Sequence, residues 1–185
     1  MINKLIQPRI ISGSLKNSRL QVPQNSRPIT DRVKTVLFDT LRDIIDNSAI
    51  LDLFAGSGSL GIEALSRGSK LAIFVDSDKD AFEILKQNLS KLKIEKNKHK
   101  IFHIDYLEFI RTYSGNFDII FLDPPFKIQN KLKLEPIIDL LAPNGIIVYK
   151  VEDKQRELIS IPEKAEILFE KKVGINVLLF IKIRE

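Results

Sequence analysis

The sequence predicts an α/β fold: one doubly wound domain whose mostly parallel sheet ends in an antiparallel hairpin, with an N-terminal extension. Three observations predict it. Short apolar runs alternate with stretches of helical spacing. A glycine-rich segment from Gly56 to Gly61 follows the first apolar run and precedes a helical pattern. The last two apolar runs, 165–169 and 175–183, are separated only by Glu170-Lys171-Lys172-Val173-Gly174, too short for a helical crossover, so they pair antiparallel.

The elements follow in order. Up to Pro28, the residues Gly13, Pro23, Asn25 and Pro28 interrupt short apolar pairs such as Ile10-Ile11, which suits an extended arm or small hairpin. Thr30 or Asp31 caps a helix with apolar positions Val33, Val36, Leu37, Leu41, Ile44 and Ile45. Residues 50–54 form the first strand, 59–67 a helix, and 71–75 a second strand ending at Asp76. Ser77-Asp78-Lys79-Asp80 reads as a capping box for a helix carrying Ala81, Leu85, Leu89 and Leu92. Strands at 100–104, 118–122 and 145–151 complete five of parallel type, and the hairpin brings the sheet to seven. The chain divides into a basic arm, 1–30, and a main domain, 31–185.

With 185 residues and a net charge of +5, the chain suits a single globular domain. The absence of cysteine excludes disulfides, thiolate nucleophiles and sulfur-bound zinc, and two histidines, His99 and His103, do not suffice for a His-rich metal site, so no metal is expected. No apolar stretch approaches the roughly 18 residues of a membrane span. The first residues lack the apolar region of a secretion signal, and a cytoplasmic, monomeric protein away from membranes is expected. Residues 1–45 hold eight basic residues against three acids, so the whole positive excess lies there. Lys4, Arg9, Lys16, Arg19, Arg27, Arg32, Lys34 and Arg42 therefore suggest a polyanionic partner.

Gly56, Gly58 and Gly61 fit G-x-G-x-x-G, with Asp76 20 residues after Gly56 at the end of the next strand. Alone, this fits a dinucleotide site, with an acid on the ribose. Asp52, at the strand end beside the loop, separates two cofactors. Its charge would repel a pyrophosphate but suits the ammonium and sulfonium groups of S-adenosylmethionine. Asp76 then accepts from the ribose hydroxyls and Asp105 from the adenine amine, with Phe54 and Ser77 beside them. Tyr106 either lines the adenine pocket or packs in the core.

The fourth strand ends in Asp123-Pro124-Pro125-Phe126. Consecutive prolines fix φ and remove two N–H donors, leaving a stiff segment with unpaired carbonyls. That suits an exocyclic amine on a flat base. One proton goes to Asp123 and one to the Pro124 carbonyl, while Phe126 stacks on the ring and the nitrogen lone pair is aimed for displacement.

The glycine loop and the Asp-Pro-Pro-Phe tetrad resemble those of amino methyltransferases of the Rossmann-like class. Arg9-Ile10-Ile11-Ser12-Gly13, Arg19-Leu20, Arg27-Pro28-Ile29-Thr30-Asp31-Arg32-Val33 and Leu37-Phe38 resemble one family in particular, the bacterial small-subunit (16S) ribosomal RNA guanine-N2 methyltransferases. The resemblance runs from about Arg9 to Phe126 and more loosely beyond. Where that family usually carries glycine, this chain has Ser12 and Asn17; asparagine tolerates left-handed backbone, which preserves a turn. The resemblance implies a class I methyltransferase fold, S-adenosylmethionine as cofactor, and methylation of one guanine in an assembling 30S particle. Arg9, Arg19, Arg27 and Arg32 then face RNA, with Arg32 also open to a cofactor-side role and Lys127 either on a phosphate or solvated. Two alternatives stand beside this: a DNA adenine-N6 methyltransferase, and a non-catalytic RNA-binding assembly factor that keeps the fold. A protein-glutamine methyltransferase fits less well, since those resemble Asn at the first tetrad position.

Overall fold

The computed structural model describes residues 7–24, 26–129 and 131–184. Lys4 and Asn25 lie outside them. The arm closes on itself through an antiparallel bridge between Arg9 and Arg19, with Ile10 N–H donating to the Ser18 carbonyl and Leu20 N–H to Pro8. Its turn contains Asn17 at φ +70°, the left-handed geometry for which asparagine substitutes for glycine. The Thr30 hydroxyl caps helix α1, Asp31–Thr40, by accepting from Val33 N–H. The apolar spacing predicts helix as far as Ile45, but α1 stops at Thr40, and the Leu41 carbonyl accepts from both Ile44 and Ile45 in a tight turn.

Strand β1, Ala49–Asp52, leads into α2, Ser59–Ser66, and β2, Leu71–Val75, into α3, Lys79–Lys91. The cap of α3 is the Asp78 carboxylate on Ala81 N–H, so the capping box expected to start at Ser77 does not form. The reason is local: Asp76 accepts from Asp78 N–H and sets Asp78 at the cap position. Then come β3, His99–Phe102; α4, Tyr106–Thr112; β4, Phe117–Leu122; the short helices α5, Phe126–Gln129, and α6, Glu135–Ile138; and β5, Leu141–Glu152. The chain finishes with β6, Ala165–Val173, and β7, Asn176–Ile183.

The seven strands order as β3-β2-β1-β4-β5-β7-β6. The first five are parallel, and β7 is antiparallel to both neighbours. This is the expected architecture, with strand order reversing at β1, where ligands of open α/β sheets bind. The hairpin is tighter than expected. β6 continues through Glu170-Lys171-Lys172 to Val173, and Gly174-Ile175 alone make the turn. An outer strand carries charge at solvated positions, so its sequence does not read as an apolar run.

Two cores flank the sheet. On one face Ile10, Leu20 and Ile29 of the arm pack with Val33, Leu37 and Phe38 of α1 and with Leu60, Ile62 and Leu85 of α2 and α3. On the other, Phe109, Leu134, Ile137 and Ile138 cover Leu51, Ile73 and Ile120. Both faces of the parallel strands are therefore covered, and the site is left to the loops at their carboxyl ends.

Candidate active site at the carboxyl edge of the sheet

Alternation along β1 turns Leu51 into one core and sends Asp52 to the opposite face, next to the loop. Asp52 is buried and its carboxylate accepts from Gly61 N–H in the first turn of α2 at 3.0 Å. Burial pushes its pKa up to about 7, with Asp123 and Asp76 adding repulsion and the Gly61 amide opposing them. A buried carboxylate poised near neutrality binds a cation at a small cost in desolvation, because most of that cost is already spent in folding.

Gly56 and Gly61 do different work. Gly56 has φ +54°, and the space where a Cβ would stand is open, as a backbone that borders a ligand requires. A Cβ on Gly61 would lie 2.3 Å from the Phe74 ring, so this glycine allows α2 to lie close on β2. Asp76, expected to accept from the ribose hydroxyls, accepts through Oδ2 from Gly56 N–H at 2.7 Å and through Oδ1 from Asp78 N–H at 2.9 Å. It braces both loops, and each oxygen keeps a second lone pair for a hydroxyl.

Asp105 is exposed and caps α4 by accepting from Leu107 N–H at 2.8 Å through Oδ1. It thus has a structural role that the sequence reading did not assign. Phe54 and Tyr106 pack on each other with ring centroids 5.2 Å apart, joining the β1 and β3 loops. Ser77 is exposed, and its carbonyl lies 3.2 Å from Nε2 of His103, whose ring stacks on Phe82. A buried acid on β1, a braced acid just past β2, an open glycine and an aromatic pair thus lie around one edge. That donor set fits a cationic nucleoside such as S-adenosylmethionine and is poorly matched to a pyrophosphate, since Asp52 lies behind the loop that would hold it.

β1 and β4 are neighbours, with Asp52 in register with Phe121, so Asp123 leaves β4 two residues beyond that pairing. Phe126 is 48% exposed, and Lys154 Nζ lies 4.8 Å from its ring centroid. Pro125 and Lys127 are exposed, while Pro124 is buried. The tetrad's acceptors are not unpaired, as the prolines led the sequence reading to expect. Lys150 Nζ donates to Asp123 Oδ1 at 2.5 Å, and Gln129 Nε2 donates to the Pro124 carbonyl at 3.3 Å. A side chain of α5 thus pairs the Pro124 carbonyl, and one of β5 the Asp123 carboxylate. Neither residue carries a motif.

Arg19, Arg27 and Arg32 are exposed, and Arg9 pairs with Asp31 at 2.7 Å. Lys34 is different. It is buried, pairs with Glu63 at 3.4 Å and donates to the Arg9 carbonyl, so it adds nothing to a surface field. Burial lowers its pKa, and Glu63 opposes that shift. Glu63 also accepts from the Ile11 and Ser12 amides and from Arg67, fastening the arm to α2.

Two open clefts, about 460 and 290 Å³, lie at the opposite, amino edge of the sheet near Asn116 and Ser48. They are remote from the acids and the tetrad, and chemistry rather than hollow volume locates the site. Among the described residues no cluster of His, Asp or Glu could hold a metal, and no helix is long and apolar enough to cross a membrane.

Residues 8–182 match the family model described as Conserved hypothetical protein 95. The chain is 39% identical over 176 residues to "Ribosomal RNA small subunit methyltransferase D" of Haemophilus influenzae, covering 90% of this chain and 89% of that one. It is 34% identical over 175 residues to the protein of the same name in Escherichia coli K12, covering 91% and 86%. The solved structure of the Escherichia coli protein yhhF superposes with a TM-score of 0.83 at 32% identity, covering 96% of this chain and 98% of that chain.

Proposed function

Since this chain belongs to the Conserved hypothetical protein 95 family, we propose that it is an S-adenosylmethionine-dependent methyltransferase of ribosomal RNA, acting on the exocyclic N2 amine of a guanine in the small-subunit (16S) RNA. The observation that carries this reading is the Asp123-Pro124-Pro125-Phe126 tetrad at the end of β4, one strand from the buried Asp52. S-adenosylmethionine, when bound, supplies a methyl group on a sulfonium, open to displacement by a nitrogen lone pair. Asp52 faces the positive charge, Gly56 borders the nucleoside, Asp76 holds the ribose hydroxyls, and Asp105 with Phe54, Ser77 and Tyr106 borders the adenine.

On the substrate side, Phe126 offers an exposed ring on which a flat base stacks. Asp123 and the Pro124 carbonyl each accept one amine hydrogen, which turns the nitrogen lone pair out of conjugation and toward the methyl carbon. With the donor bound, the nitrogen would take its methyl group and would shed one proton, to Asp123 or to water. Arg9, Arg19, Arg27, Arg32 and Lys127 are assigned to RNA phosphates. The arm, residues 1–30, serves as the RNA-facing unit and 31–185 as the methyltransferase domain, working as a cytoplasmic monomer on an assembling 30S particle.

Incubation with labelled methyl donor and undermethylated 30S particles, followed by mapping of the modified nucleotide, tests the proposal. The expected result is label on N2 of one guanine. Label on adenine N6 of DNA would instead make it a DNA enzyme. Tight RNA binding without transfer would make it an assembly factor.

A further inference from the structure

We propose that Lys150 and Gln129 are positioning residues for this transfer, holding the two acceptors of the tetrad, the Asp123 carboxylate and the Pro124 carbonyl, in fixed orientation for the target amine. The inference rests on the reading of the site given above.

Leu122 of β4 and Tyr149 of β5 are register partners in a parallel pair, so Asp123, the first residue past β4, comes out beside Lys150 of β5. Phe121 and Val148 belong to one core and Leu122 and Tyr149 to the other, so alternation puts Asp123 and Lys150 on the same face. The Lys150 side chain is 17% exposed and that of Asp123 23%, at 2.5 Å. A charge-assisted bond this far from solvent holds a carboxylate in one rotamer, and with Oδ1 engaged it leaves Oδ2 to the substrate. Asp123 lies close enough to the buried Asp52 carboxylate for the two to repel, and Lys150 is a cation placed against Asp123.

The Pro124 carbonyl is held in the same manner. Gln129 is buried, its Nε2 donates to that carbonyl, and its Oε1 accepts from Glu152 N–H at 3.4 Å. The Tyr149 hydroxyl donates to the Gln129 carbonyl, which ties α5 to β5. One lone pair of the Pro124 oxygen remains for the amine. Consecutive residues of β5, Tyr149 and Lys150, thus brace both acceptors from opposite faces of one strand.

The test is steady-state methylation of undermethylated small-subunit particles by Lys150→Met. Turnover is expected to fall about 10- to 50-fold, with KM for the particle and Kd for the methyl donor within about threefold, the pattern of lost alignment. Lys150→Arg, whose guanidinium also reaches a carboxylate, is expected to stay within about fivefold of the parent. In an Asp123→Asn background, Lys150→Met should change turnover less than about twofold, because its partner is already altered. A raised KM at unchanged turnover would make Lys150 an RNA contact and overturn the inference, as would full turnover in Lys150→Met. Should the Met variant fail to fold, Lys150→Gln carries the same test. Loss of activity in Asp123→Ala with a fully active Lys150→Met overturns only this inference, whereas a fully active Asp123→Ala overturns the site itself.

Discussion

Asp52 acts through burial. Its carboxyl, with a pKa pushed up to about 7, keeps a proton in the folded chain where an unfolded chain has lost it near pH 4. The folded state therefore binds more protons between about pH 4 and 7, and this group's contribution to stability falls as pH rises through that window. A cationic ligand reverses the preference, because it is attracted only to the ionised form. Donor affinity is expected to fall about tenfold as pH drops from 8 to 6, with proton release on binding, while Asp52→Asn flattens that dependence. Calorimetry across this range checks it, and since the donor's own amine titrates equally in both proteins, their difference isolates Asp52. Identical pH profiles would take Asp52 out of the cofactor site. The sequence made the position of Asp52 legible through its place before Gly56, but its charge state depends on β4 and β2 lying beside it, which no local pattern reports.

The arm shows how far an element can depart from its composition. Gly13, Pro23 and Pro28 read as an extended arm or small hairpin, and the Arg9–Arg19 bridge closes the hairpin. Yet Ile10 and Leu20 are buried in the main core, and Glu63, itself buried, takes two arm amides and Lys34. Isolated apolar residues among turn formers carry no period, so their burial was not legible. The exposed arginines remain the candidates for RNA. Replacing Arg9, Arg19 and Arg27 together by glutamine should weaken RNA binding and reduce the log–log salt slope by about 0.7–0.9 per lost phosphate contact. Donor affinity should hold, because Arg19 and Arg27 are exposed and the Arg9 pair with Asp31 is largely solvated. Filter binding at several salt concentrations measures this; an unchanged slope would leave the positive excess as ordinary surface charge. Elsewhere α3 followed from its apolar period, whereas β6 was underread because its outer positions face water.

Across the whole molecule, the parallel sheet places the chemistry. Motifs separated by as many as 71 residues, from Asp52 to Asp123, meet because β1 and β4 are register neighbours at the point where strand order reverses. Glycine loop, acids and tetrad were legible because each is a local signal at the end of an apolar run. Lys150 and Gln129 were not, since their roles depend on the β4–β5 register and on a four-residue helix. The account stands on Asp123 as the group that orients the amine, and single-turnover methylation by Asp123→Ala and Asp123→Asn tests it most directly. Asp123→Ala is expected to lose about 10²–10³ in rate, with donor affinity within about threefold, because alignment matters at the transition state more than in docking. Asp123→Asn, which keeps one acceptor oxygen but takes no proton, retains substantial rate if Asp123 only orients, and falls with the Ala variant if it also receives the proton. A fully active Asp123→Ala enzyme would contradict the account.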